Sequence, residues 1–296
     1  MRRSLSARTK TSKIGETDLI LNPDGSVYHL KLRPEHVSPT VITVGDPERV
    51  GAVSKYFDRI NFKVKRREFV THTGELGGKR ITVASTGMGT DNVEIFLTEL
   101  DALVNVDLVS RTVLPKHTSL QIIRIGTSGA LQPEIPLDSH LISNYAIGLD
   151  NLMAFYDLPM RAGEKKIADA LQNDLSIPVK PYCIRGDVDL VGRIGQEMIY
   201  GNTVTMPGFY APQGRIVRLK PKQAHLLDDL MSFTQGRRFK LTNFEMETAG
   251  YFAMGRLLGH RMASCNAIIA HRVFQKFSRN PAKLVDALIR KVLEKL

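Results

Sequence analysis

The stretch Leu120-Gln121-Ile122-Ile123-Arg124-Ile125 reads as a buried strand that breaks into Gly126-Thr127-Ser128-Gly129, two glycines flanking two hydroxyls. A turn of this kind offers backbone N–H groups, two hydroxyls and a fixed positive charge, which together suit a phosphate. The same residues would also serve an ordinary strand end with a solvent-facing arginine. A second stretch of similar design favours the anion. There strand 40–44 stops at Gly45, Asp46 can cap a helix, Pro47 suits its first position, and Arg49 falls in the first turn. A third strand, 80–85, ends in Thr86-Gly87-Met88-Gly89-Thr90 and leads into an amphipathic helix over 91–104.

The remaining pattern continues this alternation. Residues 67–76 and 80–85 read as an antiparallel pair joined across Gly77-Gly78. Strands are expected at 140–147, 179–187 and 262–270, and helices at 47–57, 164–175 and 281–296. Such alternation predicts an α/β fold, a single-domain three-layer sandwich with a central mixed β-sheet flanked by helices. Ligands in folds of this class collect beyond the carboxyl ends of strands, where the arginine-glycine turns fall. The expected organisation is a basic, flexible N-terminal tail over 1–20 and one domain over 21–296.

The net charge of +11 is mostly terminal, with nine of the excess charges in 2–13 and 276–296. No stripe of basic and aromatic residues and no zinc-finger or RNP spacing accompanies it, so a nucleic-acid surface is not expected. No apolar run reaches the length of a membrane span, and the basic start lacks the apolar stretch of a secretory signal. Cys183 and Cys265 are too few for a disulfide framework, which points to a reducing, cytoplasmic setting.

Several motif readings fail on spacing. A dinucleotide fingerprint starting at Gly87 would need glycine at Asn92, and Gly78-Lys79 is followed by Arg80 rather than a Walker hydroxyl. Zincin, EF-hand and nucleophile-elbow spacings are absent, so no metal is expected. Within the Pro- and Gly-rich loop 201–214 and just beyond it, Phe209, Tyr210, Gln213 and Arg215 could hold a planar heterocycle by stacking and edge hydrogen bonds. They could equally form a plain surface loop. Residues 243–254 read as the start of a buried helix whose first turn carries Glu245 and Glu247. These carboxylates either complement the helix dipole or grip the vicinal hydroxyls of a sugar.

Taken in order, Gly45-Asp46-Pro47-Glu48-Arg49-Val50, Arg67-Glu68-Phe69, Ser85-Thr86-Gly87-Met88-Gly89, Arg124-Ile125-Gly126-Thr127-Ser128-Gly129 and Phe244-Glu245-Met246-Glu247 resemble the successive motifs of the nucleoside phosphorylase family. Phe209-Tyr210-x-x-Gln213-x-Arg215 resembles the uracil-recognition loop of its uridine-cleaving branch. After strand 262–270 come His271 and Arg272, where purine-specific members carry an acid.

The resemblance implies that Gly45, Arg49, Arg124 and Thr127 bind phosphate, with Arg67 reaching in from a neighbouring subunit. Met246 and Glu247 would hold the ribose, with Glu245 beside them and His29 supplied by the partner chain. Ser128 and Gly129 would line the base and sugar pocket. Phe209, Gln213 and Arg215 would take the base, with Arg272 close by. Arg49, Arg124, Glu247 and Arg215 are then the residues expected to carry catalysis. The expected activity is phosphorolysis of uridine to uracil and ribose 1-phosphate in nucleoside salvage, a pentosyl transfer with inorganic phosphate as co-substrate and no organic cofactor. A site shared between chains implies a homodimer as the minimal unit, with a hexamer as a further assembly. Relatives can hold a monovalent cation near positions matching Glu68, Met88 and Asn92, though Asn92 stands where serine is usual. A purine phosphorylase or a nucleosidase would share the resemblance, and a non-catalytic nucleoside-binding protein is the reading from a different class.

Overall fold

A computed structural model describes residues 13–175, 177–236 and 239–296. In chain order its elements are β1 (Thr40–Val44), α1 (Pro47–Ser54), β2 (Arg59–Arg66), β3 (Phe69–Leu76), β4 (Lys79–Ser85), α2 (Thr90–Asn105), β5 (Val106–Asp107) and β6 (Thr112–Val113). Then come β7 (Gln121–Ala130), β8 (His140–Gly148), α3 (Ala162–Asp174), β9 (Tyr182–Arg185), α4 (Val188–Ile194), β10 (Ile199–Thr205) and α5 (Leu226–Ser232). The chain closes with β11 (Thr234–Gln235), β12 (Phe239–Lys240), β13 (Asn243–Glu245), α6 (Thr248–Leu258), β14 (Arg261–His271), β15 (Lys276–Phe277) and α7 (Pro281–Leu293).

Eleven strands form one mixed sheet in the order β15-β14-β8-β10-β13-β7-β1-β4-β3-β2, with β9 added against β8. Because β14 also pairs with β7, the strands β7, β14, β8, β10 and β13 close into a ring. β7 makes this possible by its length. It pairs with β14 along its whole length, with β1 over residues 121–125 and with β13 at Gly129 and Ala130.

Strand alternation distributes the core over two faces. Val41 and Ile122 point to a core closed by α2 and α6, through Phe96, Leu97, Leu100, Phe252 and Ala253. Their neighbours Ile42 and Ile123 point to a core closed by α1, α4 and α7, through Val50, Leu190, Leu288 and Val292. The expected mixed sheet flanked by helices is thus observed, with the addition of the closed ring. Cys183 and Cys265 are buried and free, and burial raises both thiol pKa values, that of Cys265 to about 12.

Several local expectations shift. Strands β2 and β10 were not read from the sequence, and the loop expected from 201 begins only after Thr205. Residues 243–245 pair as β13, and the helix starts at Thr248 rather than at Asn243. Residues 1–12 lie outside the described residues. The eight that follow are held: Ile14 N–H donates to the Arg111 carbonyl at 2.8 Å, and Leu19 is buried. Residues 106–113 fold back as the β5–β6 hairpin on which this entry segment rests.

One buried ion pair ties the helix layer together. Glu164 of α3 accepts hydrogen bonds from both Arg256 Nη1 and Nη2 at 2.7 Å, and from the backbone N–H groups of Arg161 (2.6 Å) and Arg185 (2.9 Å). Burial works to raise its pKa, but the Arg256 bonds and the backbone donors outweigh that and hold it below the usual 4.5. A carboxyl with a depressed folded pKa lends stability above its unfolded value and loses it as pH falls through the folded one. Glu164→Gln should therefore cost about 3–5 kcal/mol at neutral pH. The gap from the unmodified protein should narrow below about pH 4, as read from urea midpoints across pH.

Candidate active site

The carboxyl end of β1 pairs with the middle of β7, and the turn leaving β1 and the second half of β7, residues 126–129, line a cavity of about 600 Å³. At one end α1 begins as its sequence dictates: Asp46 Oδ1 accepts from Glu48 N–H at 2.9 Å and Pro47 occupies the first turn. This places Arg49 on the cavity wall. Among the described residues its guanidinium makes a single long bond, Nη1 to the Ile125 carbonyl at 3.5 Å, which leaves most of its donors available. Burial pushes its pKa down and Arg124 adds to that, while Asp46 works against it.

Residues 126–129, expected as a turn, continue β7 as regular strand. Gly126 serves a different need. The Arg124 guanidinium folds back over it, and a Cβ there would overlap the guanidinium. Arg124 is 4% exposed, and its Nη2 lies 2.5 Å from Glu247 Oε2 and 3.0 Å from Glu245 Oε2. Nη1 donates to Asn266 Oδ1 at 3.1 Å. Burial disfavours its charge, yet the two carboxylates outweigh that and raise its pKa.

The carboxylates differ in use. Glu247 Oε1 accepts from Gly89 N–H at 2.8 Å, which draws in the turn after β4, where Gly87 and Gly89 both adopt positive φ. Glu245 accepts from Thr205 Oγ1 at 2.7 Å and from the backbone N–H groups of Glu247 and Thr248 at 3.0 and 2.9 Å. Burial raises the Glu245 pKa, Arg124 opposes the rise and Glu247 adds to it. Glu245 lines the cavity, but its oxygens brace Arg124 and the start of α6. Met246 lines the wall between the two acids.

The far end is built by the loop after β10. A short 3-10 turn, Ala211–Gln213, followed by Gly214 at φ 65°, reverses the chain and returns Arg215 over Phe209. The Arg215 guanidinium lies 3.7 Å from the Phe209 ring centre, and Nη1 donates to the Phe209 carbonyl (2.6 Å) and Gln213 Oε1 (2.5 Å). Burial, with Arg272 nearby, lowers its pKa to about 10. Gln213 is buried with its oxygen taken, which leaves its amide N–H groups as donors. Arg272 does not line the cavity; its Nη1 holds the Gln213 carbonyl at 3.1 Å.

Gly45, Arg49, Arg124, Thr127, Ser128, Gly129, Phe209, Gln213, Arg215, Glu245, Met246 and Glu247 therefore meet in one cavity. His29 and Arg67 do not. His29 Nδ1 is 2.6 Å from Glu99 Oε1, and the Arg67 guanidinium lies over Tyr28, whose ring neighbours that of His29. Sequence reasoning missed the wall residues Phe244, Ile269, Ala270 and Phe277, and the Arg124 partner Asn266. A polar residue inside the apolar run 262–270 was the signal that could have found Asn266.

At the positions where relatives can hold a monovalent cation, Asn92 Nδ2 faces the Met88 carbonyl at 3.4 Å. Among the described residues one group of three metal-binding side chains comes together, Asp101, His117 and His260, at the end of the sheet away from the cavity. There His260 Nδ1 accepts Leu120 N–H at 3.2 Å, which leaves the ring proton on Nε2, the nitrogen facing Asp101 at 3.3 Å. Among the described residues that nitrogen forms no hydrogen bond.

Residues 39–294 match the family model described as the phosphorylase superfamily, and the chain belongs to that family. The uridine phosphorylase of Thermococcus kodakarensis is 30% identical over 259 residues, covering 86% of this chain and 81% of that relative. The uridine phosphorylase of Escherichia coli is 28% identical over 260 residues, covering 84% and 88%. Among solved structures, a Trypanosoma brucei nucleoside phosphorylase described as having uridine phosphorylase activity superposes with a TM-score of 0.87 at 26% identity, covering 94% of this chain and 99% of that one.

Gly126→Ala tests the folding-back of Arg124 directly. The added methyl should displace the guanidinium and abolish the rise in melting temperature that phosphate gives the unmodified protein, measured by thermal melts with and without 10 to 100 times the Kd of phosphate.

Proposed function

We propose that the protein is a uridine phosphorylase, which cleaves uridine with inorganic phosphate to uracil and ribose 1-phosphate. The observation that carries this is one cavity with Arg49, Arg124 and Thr127 at one end and Phe209, Gln213 and Arg215 at the other. Between them Met246 and Glu247 stand where a ribose would lie. Breaking the glycosidic bond leaves positive charge on the sugar and negative charge on the departing base. Phosphate held by Arg49 and Thr127, with Arg124 behind them, is both the attacking group and the electrostatic partner of the cationic sugar. Gln213 and Arg215 steady the uracil anion, and the stacked Phe209 closes over the ring.

The minimal working unit is a homodimer, in which His29 and Arg67 of a second copy complete the ribose and phosphate ends. Their position supports this: both lie outside their own cavity and beside the same tyrosine. A hexamer would repeat that contact. Among the described residues no helix is long and apolar enough to cross a membrane, and two free buried cysteines suit a cytoplasmic setting.

The test is a panel of uridine, thymidine, inosine and adenosine with and without phosphate. Uridine should give ribose 1-phosphate only when phosphate is present; phosphate-independent cleavage would mean a nucleosidase, and preference for inosine or adenosine a purine enzyme. Arg215→Ala should lower kcat for uridine by about 100-fold or more with little change in melting temperature. Equal losses of activity and stability would make Arg215 structural.

A further inference from the structure

Inside the closed ring runs a series of polar side chains, one from each strand, that begins and ends on β7. Arg124 Nη1 donates to Asn266 Oδ1 on β14 at 3.1 Å, and Asn266 Nδ2 reaches Ser143 Oγ on β8 at 3.4 Å. Ser143 Oγ is 2.6 Å from Thr203 Oγ1 on β10, Thr203 Oγ1 is 3.0 Å from Asn243 Oδ1 on β13, and Asn243 Nδ2 donates to Ser128 Oγ at 2.9 Å. Ser143, Thr203, Asn243 and Asn266 are fully buried.

Chemistry fixes the direction of every link. A guanidinium can only donate, so Asn266 must show it oxygen and turn its nitrogen to Ser143. Ser143 then accepts from Asn266 and has its proton for Thr203. Thr203 in turn gives its proton to the oxygen of Asn243. The amide of Asn243 therefore faces Ser128, which can only accept from it. Among the described residues no other hydrogen bond engages the Ser128 hydroxyl, and Ser128 lines the cavity.

We propose that Ser128 is a committed hydrogen-bond donor to the nucleoside, oriented by this one-way chain that starts at the phosphate-site arginine. The proposal rests on the nucleoside reading of the cavity. The Ser128 proton is given to an oxygen or nitrogen acceptor of the substrate that gains negative charge as the glycosidic bond breaks. Asn266, Ser143, Thr203 and Asn243 touch no ligand; they are positioning residues. Because the chain begins at a cation, each bond polarises the next toward a stronger terminal donor. It also joins the anion end of the cavity to the base end by a route that avoids solvent.

The rival account is that the chain merely satisfies buried polar groups and fixes strand register. Asn243→Asp separates the two, because it keeps the shape but gives Ser128 an acceptor, so that the serine proton turns away from the cavity. Its kcat for uridine should fall about tenfold, as for Ser128→Ala, and the double variant should fall no further. Thr203→Val, which breaks the chain two links from Ser128, should cost a few-fold in kcat, again with no further loss in the Ser128→Ala background, while Thr203→Ser restores activity. Losses that add in the double variants, or an Asn243→Asp enzyme with unaltered kcat, overturn the proposal. If Asn243→Asp does not fold, the Thr203 series decides alone. Should the unmodified protein turn over no nucleoside, the functional reading fails. The chain is then read by NMR, where the Asn243 side-chain amide should be protected from exchange and shifted by Ser128→Ala. Exchange at solvent rates would dismiss it.

Discussion

The buried guanidinium of Arg124 is the contact on which the cavity depends. A charge this far from water is tolerated only when paired and fully hydrogen-bonded, and removing a partner from such a cluster typically costs 3–5 kcal/mol. Its three partners tie it to different parts of the chain. Glu247 ties it to the glycine turn after β4, Glu245 ties it to β10 and the start of α6, and Asn266 ties it to β14. One side chain thereby sets the relative position of the segments that form the anion end. Arg49, with its single long bond, is left as the cation whose donors face the cavity.

The closed ring explains how a cluster of this kind can be built at all. An open sheet would bring polar side chains of neighbouring strands together only in pairs. By pairing with β1, β14 and β13 along its length, β7 lets five strands turn their polar side chains inward to a common centre. The glycine at 126 is the price of that closure, because the space above it is filled by the Arg124 guanidinium. The same residue that looked like a turn signal is thus a packing requirement.

Much of the molecule was legible from local pattern. Apolar runs ending at glycine gave β1, β4 and the first half of β7, and the Asp46-Pro47 pair gave the start of α1, because capping and strand burial leave their mark within a few residues. β2 escaped because it alternates exposed and half-buried residues at the sheet edge and has no solid apolar core to betray it. Residues 243–245 were assigned to the following helix because three residues are too few to carry a period, and only pairing with β10 and β7 makes them a strand. Glu245 was a candidate sugar ligand from its residue type alone; the fold spends its oxygens on Thr205, Arg124 and the α6 backbone.

By itself the sequence determined the strand and helix alternation, the chemistry available at each strand end, and the family motifs that name the candidate residues. Those are properties of neighbouring residues, and neighbours are what a sequence records. Tertiary structure alone decided which donors remain unspent. Whether Arg49 is free while Arg124 is fully paired, and whether Ser128 gives or receives a proton, depends on partners 76 to 142 positions away in the chain. Hydrogen-bond capacity is local, but its satisfaction is set by strands that meet only after the ring has closed.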